Sequence, residues 1–339
     1  MDTHAGILVI GAGAIGSITA GMLSARGIPV TLVCRNAEQA GKIASGGIQL
    51  SGRGCDRLVR VRTAAGLDRI ACCVDTVFLA TKAYQVQGIA RQLVPLLNKD
   101  SRVVSMQNGI VIEELAGIVG AERSVGCVVR FGATLHEPGV AEMTSRGRIL
   151  VGYPDRPGDG QLDEIARIME NIAPVAVTGR IMSELYSKLI INSCTSTVGA
   201  ISGLTLGELL KKRRARQIFT AVAREALRVA GAGHLHVAPL AGRLTWEGLL
   251  HMHPALRQGL IRLLGMRYRH LRSSSLRAIE RGRSTEVDFL NGHIVRKGVS
   301  LGVDSPVNRR LVEMIHEMEQ GRRPATPLNL EDDQLARHL

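Results

Sequence analysis

An apolar run from Gly6 to Ile10 passes directly into Gly11-Ala12-Gly13-Ala14-Ile15-Gly16 and then into a helical stretch ending near Ala25. Strand, glycine turn and helix in that order leave a chain few alternatives. Gly11 permits the tight turn, Gly13 lets the backbone approach a pyrophosphate, and Gly16 allows the helix to pack closely on the strand. The helix amino terminus favours negative charge. Gly27 closes the helix and Val30 to Cys34 reads as a second strand, so a βαβ unit with parallel strands is complete. Glycine fills 38 of 339 positions, which makes the motif weak by itself. Its place between a strand and a helix makes it a dinucleotide cradle, with Gly11, Ala12, Gly13, Ala14, Ile15 and Gly16 as the expected cofactor contacts.

In NAD sites an acidic residue near the end of the second strand holds the ribose 2′-hydroxyl. Here Cys34-Arg35-Asn36 occupies that place. A guanidinium offers a fork of donors to a 2′-phosphate, so NADP(H) is expected, with Arg35 as the phosphate ligand. An ordinary surface arginine is the competing reading. Further strands are expected at Val74 to Ala80 and Arg102 to Met106, alternating with amphipathic helical sequence such as Val86 to Leu97. Ligands in open α/β sheets sit outside the carboxyl ends of the strands. Thr81-Lys82 and Gln107-Asn108-Gly109 follow two such ends, although Asn108-Gly109 equally fits a plain turn.

The short runs between Ser124 and Gly152 read as the last strands of the sheet. Beyond Pro174 and Gly179 helical patterns continue to about Gln320. The expected architecture is α/β: a Rossmann-type doubly wound parallel sheet domain over residues 1–178, followed by an all-α carboxy-terminal domain over 179–339. Pro324, Pro327 and a charged end suggest a loosely held tail from Gly321.

With 45% hydrophobic and 22% charged residues, the chain is neither disordered nor fibrous. The net charge of +13 suits anionic ligands. An aromatic content of 3% leaves few platforms for stacking bases, so no nucleic-acid partner is expected. Lys211-Lys212-Arg213-Arg214 reads as a solvated helix face. No run of about 18 apolar residues exists, so no membrane partner is expected either. The six cysteines, Cys34, Cys55, Cys72, Cys73, Cys127 and Cys194, form no C-x-x-C pair and no zinc pattern, and no metal is expected. Met1 to His4 lack a basic segment and glycines interrupt the stretch that follows, which argues against a signal peptide. Reduced thiols and a cytoplasmic location follow as expectations.

The segment from Glu184 to Ser193 reads as a helix on which Lys188, Asn192 and Ser196 fall at i, i+4 and i+8, on one stripe. Apolar neighbours Leu185, Leu189, Ile190 and Ile191 should partly desolvate Lys188, lowering its pKa towards general-acid use. A solvated lysine on an amphipathic helix fits the spacing equally well. Ser273-Ser274-Ser275 and Glu286 form a second polar group. Local rules favour capping here, with Ser284 or Thr285 as the cap and Glu286 in the first turn.

Together these residues resemble the ketopantoate reductase family, the 2-dehydropantoate 2-reductases. The resemblance spans roughly residues 6 to 320. It is carried by Gly11 to Gly16, Lys82, Asn108-Gly109, Glu184-Leu185-Tyr186-Ser187-Lys188-Leu189 with Asn192, and the block from Arg281 to Gly292. The resemblance implies NADPH-dependent reduction of 2-dehydropantoate to pantoate in pantothenate biosynthesis by a cytoplasmic oxidoreductase that acts on a small molecule and is a possible homodimer. It makes Lys188 the proton donor, Asn192 the group placing the carbonyl oxygen, and Glu286 the partner of Lys188 and the substrate hydroxyl. Ser274 would hold the substrate carboxylate, Asn108 would bridge cofactor and substrate, and Lys82 and Arg35 would lie on the cofactor side. The helical domain would close over the Rossmann crevice. Two departures concern the substrate: Ser196 stands where relatives often carry asparagine, and Trp246 to Arg272 is longer and more basic than usual. A related 2-oxo acid reductase, a 3-hydroxyacid dehydrogenase and a catalytically silent NADP(H) sensor remain as alternatives.

Overall fold

The opening apolar run forms the central strand of an eight-stranded sheet. The computed structural model describes residues 6–53 and 56–339, so Met1 to His4 and Cys55 lie outside the described residues. In chain order the strands are β1 (Ile7–Ile10), β2 (Val30–Val33), β3 (Ile48–Gly52), β4 (Arg57–Val59), β5 (Arg62–Ala64), β6 (Val74–Leu79), β7 (Leu97–Ser105), β8 (Ser124–Val129), β9 (Gly132–Glu137), β10 (Val140–Ser145), β11 (Ile149–Gly152) and β12 (Val175–Val177). The main sheet runs β12-β11-β8-β7-β6-β1-β2-β5. Read outward from β1, two strands, β2 and β5, lie on one side and the chain then returns to build the other side from β6 on. This is the doubly wound order of dinucleotide-binding folds. Every pairing in this sheet is parallel except that of β11 with β8.

Parallel strands covered on both faces need continuous apolar runs. β8 is buried along its whole length and β6 at all but one position. Leu8, Val9, Phe78, Val103 and Val104 are fully buried, each stabilising the fold by about 1.5–3 kcal/mol.

Three expectations need correction. Only part of the Ser124 to Gly152 region enters the main sheet. β9 and β10 instead join β3 and β4 in a separate sheet of order β4-β3-β10-β9, where β10 pairs in parallel with β3. In β3 and β10 side chains alternate between buried and more exposed positions, the mark of a sheet with one covered face, and the last strand of the main sheet is β12. The helix expected to reach Leu97 stops at Leu93, because Pro95 cannot continue it, and β7 begins at Leu97. The basic run is also not one helix face, since the chain turns extended at Lys212 between the helices Leu206–Lys211 and Arg213–Ala232.

The chain divides into two compact units. One contains the chain up to Gln107 together with Val111–Met182, and the other contains Asn108–Ile110 and Ser183–Leu339. All twelve named strands lie in the first. The second is built from helices, chiefly Ile181–Asn192 from Ser183 on, Arg213–Ala232, Pro254–Arg267, Asn291–Ser300 and Pro306–Glu319. None of the described helices is long and apolar enough to cross a membrane.

The tail is tied down rather than loose. Leu330 and Leu335 are buried, Asn329 donates to the Ile201 carbonyl at 2.8 Å, and Arg310 grips Asp332 at 2.9 and 3.2 Å. Charge and proline suggested a free end, but Arg310 and Arg323 meet carboxylates and Pro327 starts a 3₁₀ turn. Burial would lift the Asp332 carboxyl, yet the bonds from Arg310 and the Leu335 amide outweigh it and hold its pKa below the ordinary aspartate value. Its stabilising effect is therefore present above about pH 4 and fades as pH falls through the lowered folded value. Asp332→Ala is expected to destabilise the protein by about 1–3 kcal/mol. In thermal melts the gap to wild type should close as pH drops below 4, and a pH-independent gap would contradict this account.

Candidate active site

The cradle is built as its glycines require. Gly11 has φ of +104°, and a Cβ there would meet Thr81 Cγ2 at 2.8 Å. A Cβ on Gly16 would collide with the Gly11 carbonyl oxygen. Close packing of the helix Ala14–Ala25 on the turn after β1 therefore demands Gly16, while the positive φ and the nearness of Ala80 and Thr81 demand Gly11. Gly13 is different, because a Cβ there would meet nothing within 4 Å. Its backbone faces open space at the amino terminus of a helix that has no capping side chain and no acidic residue in its first turn. Unsatisfied amides and a positive helix end fit a pyrophosphate, so the residues present suit a dinucleotide.

The strand ends around this cradle are polar. Arg35 follows β2, is exposed, and makes no ion pair among the described residues, while Asn36 caps the next helix by accepting from the Gln39 amide at 2.9 Å. Lys82 follows β6 at the start of a 3₁₀ turn. Gln107, marked in the sequence only as part of a polar strand end and given no role, is buried and donates to Thr81 Oγ1 at 3.1 Å and to the Lys82 carbonyl at 3.0 Å. It locks the end of β7 to the end of β6, facing the point where the strand order reverses. The signal was available: a glutamine directly after a buried strand needs a partner for its amide.

In the second unit, Lys188 is half-buried between buried Ser187 and Leu189, and Asn192 is half-buried at the helix end. Ser187 Oγ accepts from Trp246 Nε1 at 2.9 Å, which pins that side of the helix. The regular helix stops at Asn192, and Ser193–Thr197 form a π-turn. Four residues overshoot a full α-turn but fall short of a π-turn, so the two steps from Lys188 to Ser196 offset each other and the stripe straightens.

Ser196 then meets the serine cluster. Its hydroxyl lies 3.1 Å from that of Ser274, and its carbonyl accepts from Ser273 Oγ at 2.5 Å. Ser273 is the helix cap, accepting from the Leu276 amide at 3.0 Å, and is buried, as is Ser275. Ser274 is left exposed, with its hydroxyl beside the stripe. Capping thus explains Ser273 and not Ser274. Around Glu286 the expected helix start is absent. Val287–Phe289 is a 3₁₀ turn, Thr285 Oγ1 accepts from the Val287 amide at 3.2 Å, and Glu286 is buried without capping the turn. Gly109, at φ of +80°, packs against the Phe289 carbonyl so tightly that only glycine fits, which brings Asn108 to the same turn. Lys188, Asn192 and Ser196 come from one helical segment, Ser274 from a second, and Glu286 and Asn108 from two further turns.

The ketopantoate reductase PanE/ApbA family matches residues 7–156, and its carboxy-terminal counterpart matches residues 180–319. The chain belongs to the ketopantoate reductase family. Its members include the 2-dehydropantoate 2-reductases of Archaeoglobus fulgidus, 27% identical over 93% of this chain and 98% of that one, and of Vibrio cholerae, 27% identical over 93% and 98%. A PanE/ApbA family ketopantoate reductase from Ralstonia eutropha JMP134 superposes with a TM-score of 0.81 at 25% identity, covering 94% of this chain and 99% of that one. D-mandelate dehydrogenase with NADH and anilino(oxo)acetate shares the fold, at a TM-score of 0.79 and 23% identity over 94% and 99%. As a member of the ketopantoate reductase family, the chain is an oxidoreductase with a nicotinamide-dinucleotide cradle.

This ketopantoate reductase family member holds its π-turn with a buried polar chain. Thr197 Oγ1 donates to Asn291 Oδ1 at 2.5 Å, and Asn291 Nδ2 donates to the Ser193 carbonyl at 3.4 Å and to Asn308 Oδ1 at 2.9 Å. Asn308 Nδ2 in turn donates to Glu225 Oε2 at 2.7 Å. All five residues are buried. Asn291 was visible only as part of the resemblance. Glu225 carried a signal of its own, an acid on the apolar face of Arg213–Ala232 beside buried Val222, Ala226 and Val229.

Proposed function

We propose that the protein is an NADPH-dependent reductase of a 2-oxo acid, with 2-dehydropantoate reduced to pantoate as the leading reaction. The observation that carries this reading is the 3.1 Å approach of Ser196 to Ser274, which gathers the Lys188 stripe and an exposed serine into one site. When bound, the reduced nicotinamide supplies the hydride for the 2-oxo carbon. Lys188 stabilises the negative charge that builds on the carbonyl oxygen and gives that oxygen its proton. Asn192 places the oxygen, Ser274 holds the carboxylate, and Glu286 orients Lys188 and the substrate hydroxyl. Asn108 and Lys82 serve the cofactor side, and Arg35 takes the 2′-phosphate. A cytoplasmic location belongs to the same reading, and a homodimer is supported by the dimeric ketopantoate reductase of Staphylococcus aureus among the structural neighbours.

A second substrate remains in view. The D-mandelate dehydrogenase neighbour carries anilino(oxo)acetate, and Ser196 departs from the asparagine common in relatives. A panel of 2-oxo acids headed by 2-dehydropantoate, with NADPH consumption as the readout, tests both. Reduction of 2-dehydropantoate is expected, and consumption of NADPH with no member of the panel would refute the reading. Charge-assisted contacts to a phosphate contribute about 1.5–3 kcal/mol, so Arg35→Ala should cut the preference for NADPH over NADH by roughly 10- to 100-fold. Equal use of both cofactors by the unaltered protein would refute the role of Arg35.

A further inference from the structure

The helix Ser274–Glu280 carries one side chain whose position has no internal explanation. Ser275 and Leu276 turn into the core. Ser274 lies on the outer face beside Ser196, and Arg277, three residues later, shares that face one turn on. Long helical side chains lean towards the helix amino terminus, which directs the Arg277 guanidinium back towards Ser274. Arg277 is half-buried, yet among the described residues its side chain makes no hydrogen bond and no ion pair. The other half-buried arginines behave differently: Arg123, Arg156, Arg214, Arg216, Arg257, Arg310 and Arg323 each donate to a carbonyl, amide or carboxylate oxygen.

The neighbourhood deepens the contrast. Glu280, the acid that acts on Arg277, is taken by Arg272 at 2.8 Å. Burial foremost, and then Arg281 and Arg272, work against the charge on Arg277, with Glu280 opposing them only weakly. A partly desolvated guanidinium pressed by two cations and lacking acceptors is unfavourable unless a ligand completes it. Its fork matches a carboxylate in bidentate geometry.

We propose that Arg277 is a specificity-determining residue that, together with the Ser274 hydroxyl, takes the carboxylate of the acid substrate. This rests on the 2-oxo acid reading of the same site and adds the charge that Ser274 alone lacks. Arg277 acts in binding, while Lys188 carries the proton.

The test measures binding separately from turnover. Calorimetric titration of 2-dehydropantoate into the protein saturated with oxidised NADP, where no reduction occurs, is compared for wild type, Arg277→Gln and Arg277→Lys, and repeated with the uncharged amide of the same acid. Arg277→Gln should weaken binding of the acid roughly 10- to 100-fold, and Arg277→Lys less. Affinity for the amide should not change, a result that mere loss of structure would not give. In steady state the loss should appear in KM with kcat within a few-fold. Equal affinity of wild type and Arg277→Gln for the acid, or equal affinity of wild type for acid and amide, would overturn the proposal. Wild-type protein that binds the acid through Arg277 but does not reduce it would overturn the proposed function alone.

Discussion

Lys188→Ala is expected to lower turnover of the 2-oxo acid by roughly 10²- to 10⁴-fold, the span usual for loss of a general acid. Loss of a cation beside the developing alkoxide adds to the effect. Affinity for NADPH should stay within a few-fold of wild type, because the glycine cradle belongs to the other unit. Folding should also survive, since Lys188 is only half-buried and the anchors of its helix are the buried Leu185, Leu189 and Ile190 together with the Trp246 bond to Ser187. Lys188→Arg keeps the charge but gives up a proton far less readily, so it should rescue binding more than turnover. In the wild type, reduction should decline at high pH, where the ammonium form is lost. Single-turnover measurements of NADPH oxidation check the chemistry directly. A Lys188→Ala protein that turns over within a few-fold of wild type would make Lys188 an ordinary helix lysine.

The parts of this molecule that were legible in the sequence are those fixed by local constraint. The turn at Gly11 and the contact at Gly16 tolerate no side chain, so the glycines themselves report the geometry. Strands buried on both faces announce themselves as unbroken apolar runs, as β6 and β8 do. The small sheet was hidden for the opposite reason. β3, β4, β9 and β10 are partly exposed, and the pairing of β10 with β3 joins segments far apart in sequence. The π-turn was invisible because Asn192 and Ser196 satisfy an α-helical spacing. Only the demands of Asn291 on the Ser193 carbonyl and the Thr197 hydroxyl reveal the wider turn. The tail misled because charge and proline usually mean solvent, whereas here Asp332 meets Arg310. Arg277 could be read by sequence only as one more arginine in a basic chain, and its lack of a partner is a fact of the fold.

Glu225 is the residue whose loss should be felt most in stability. The helix Pro306–Glu319 begins at Ser305, whose side chain makes no capping bond. Its first amides are satisfied from another helix: Glu225 Oε1 accepts from the Val307 amide at 2.9 Å, and Oε2 accepts from the Asn308 amide at 2.9 Å and from Asn308 Nδ2 at 2.7 Å. A carboxylate is well suited to this place, facing orphan donors at the positive end of a helix. Glu225→Ala leaves those buried donors without an acceptor, each at a cost of about 1–3 kcal/mol, so a loss of about 3 kcal/mol or more is expected. That is a large share of a typical total of about 5–15 kcal/mol. Asn308→Ala should cost less, because both backbone bonds to Glu225 remain. The two variants should nevertheless share a defect in the reaction, since Asn308 hands its bond on to Asn291 and so to the π-turn that carries Ser196. In the folded fraction of either, KM for the 2-oxo acid should rise while affinity for NADPH holds. Urea unfolding and steady-state kinetics on the same preparations separate the two effects. A Glu225→Ala protein within about 0.5 kcal/mol of wild type would mean that Ser305 or solvent takes over the cap, and that the π-turn stands without this chain of bonds.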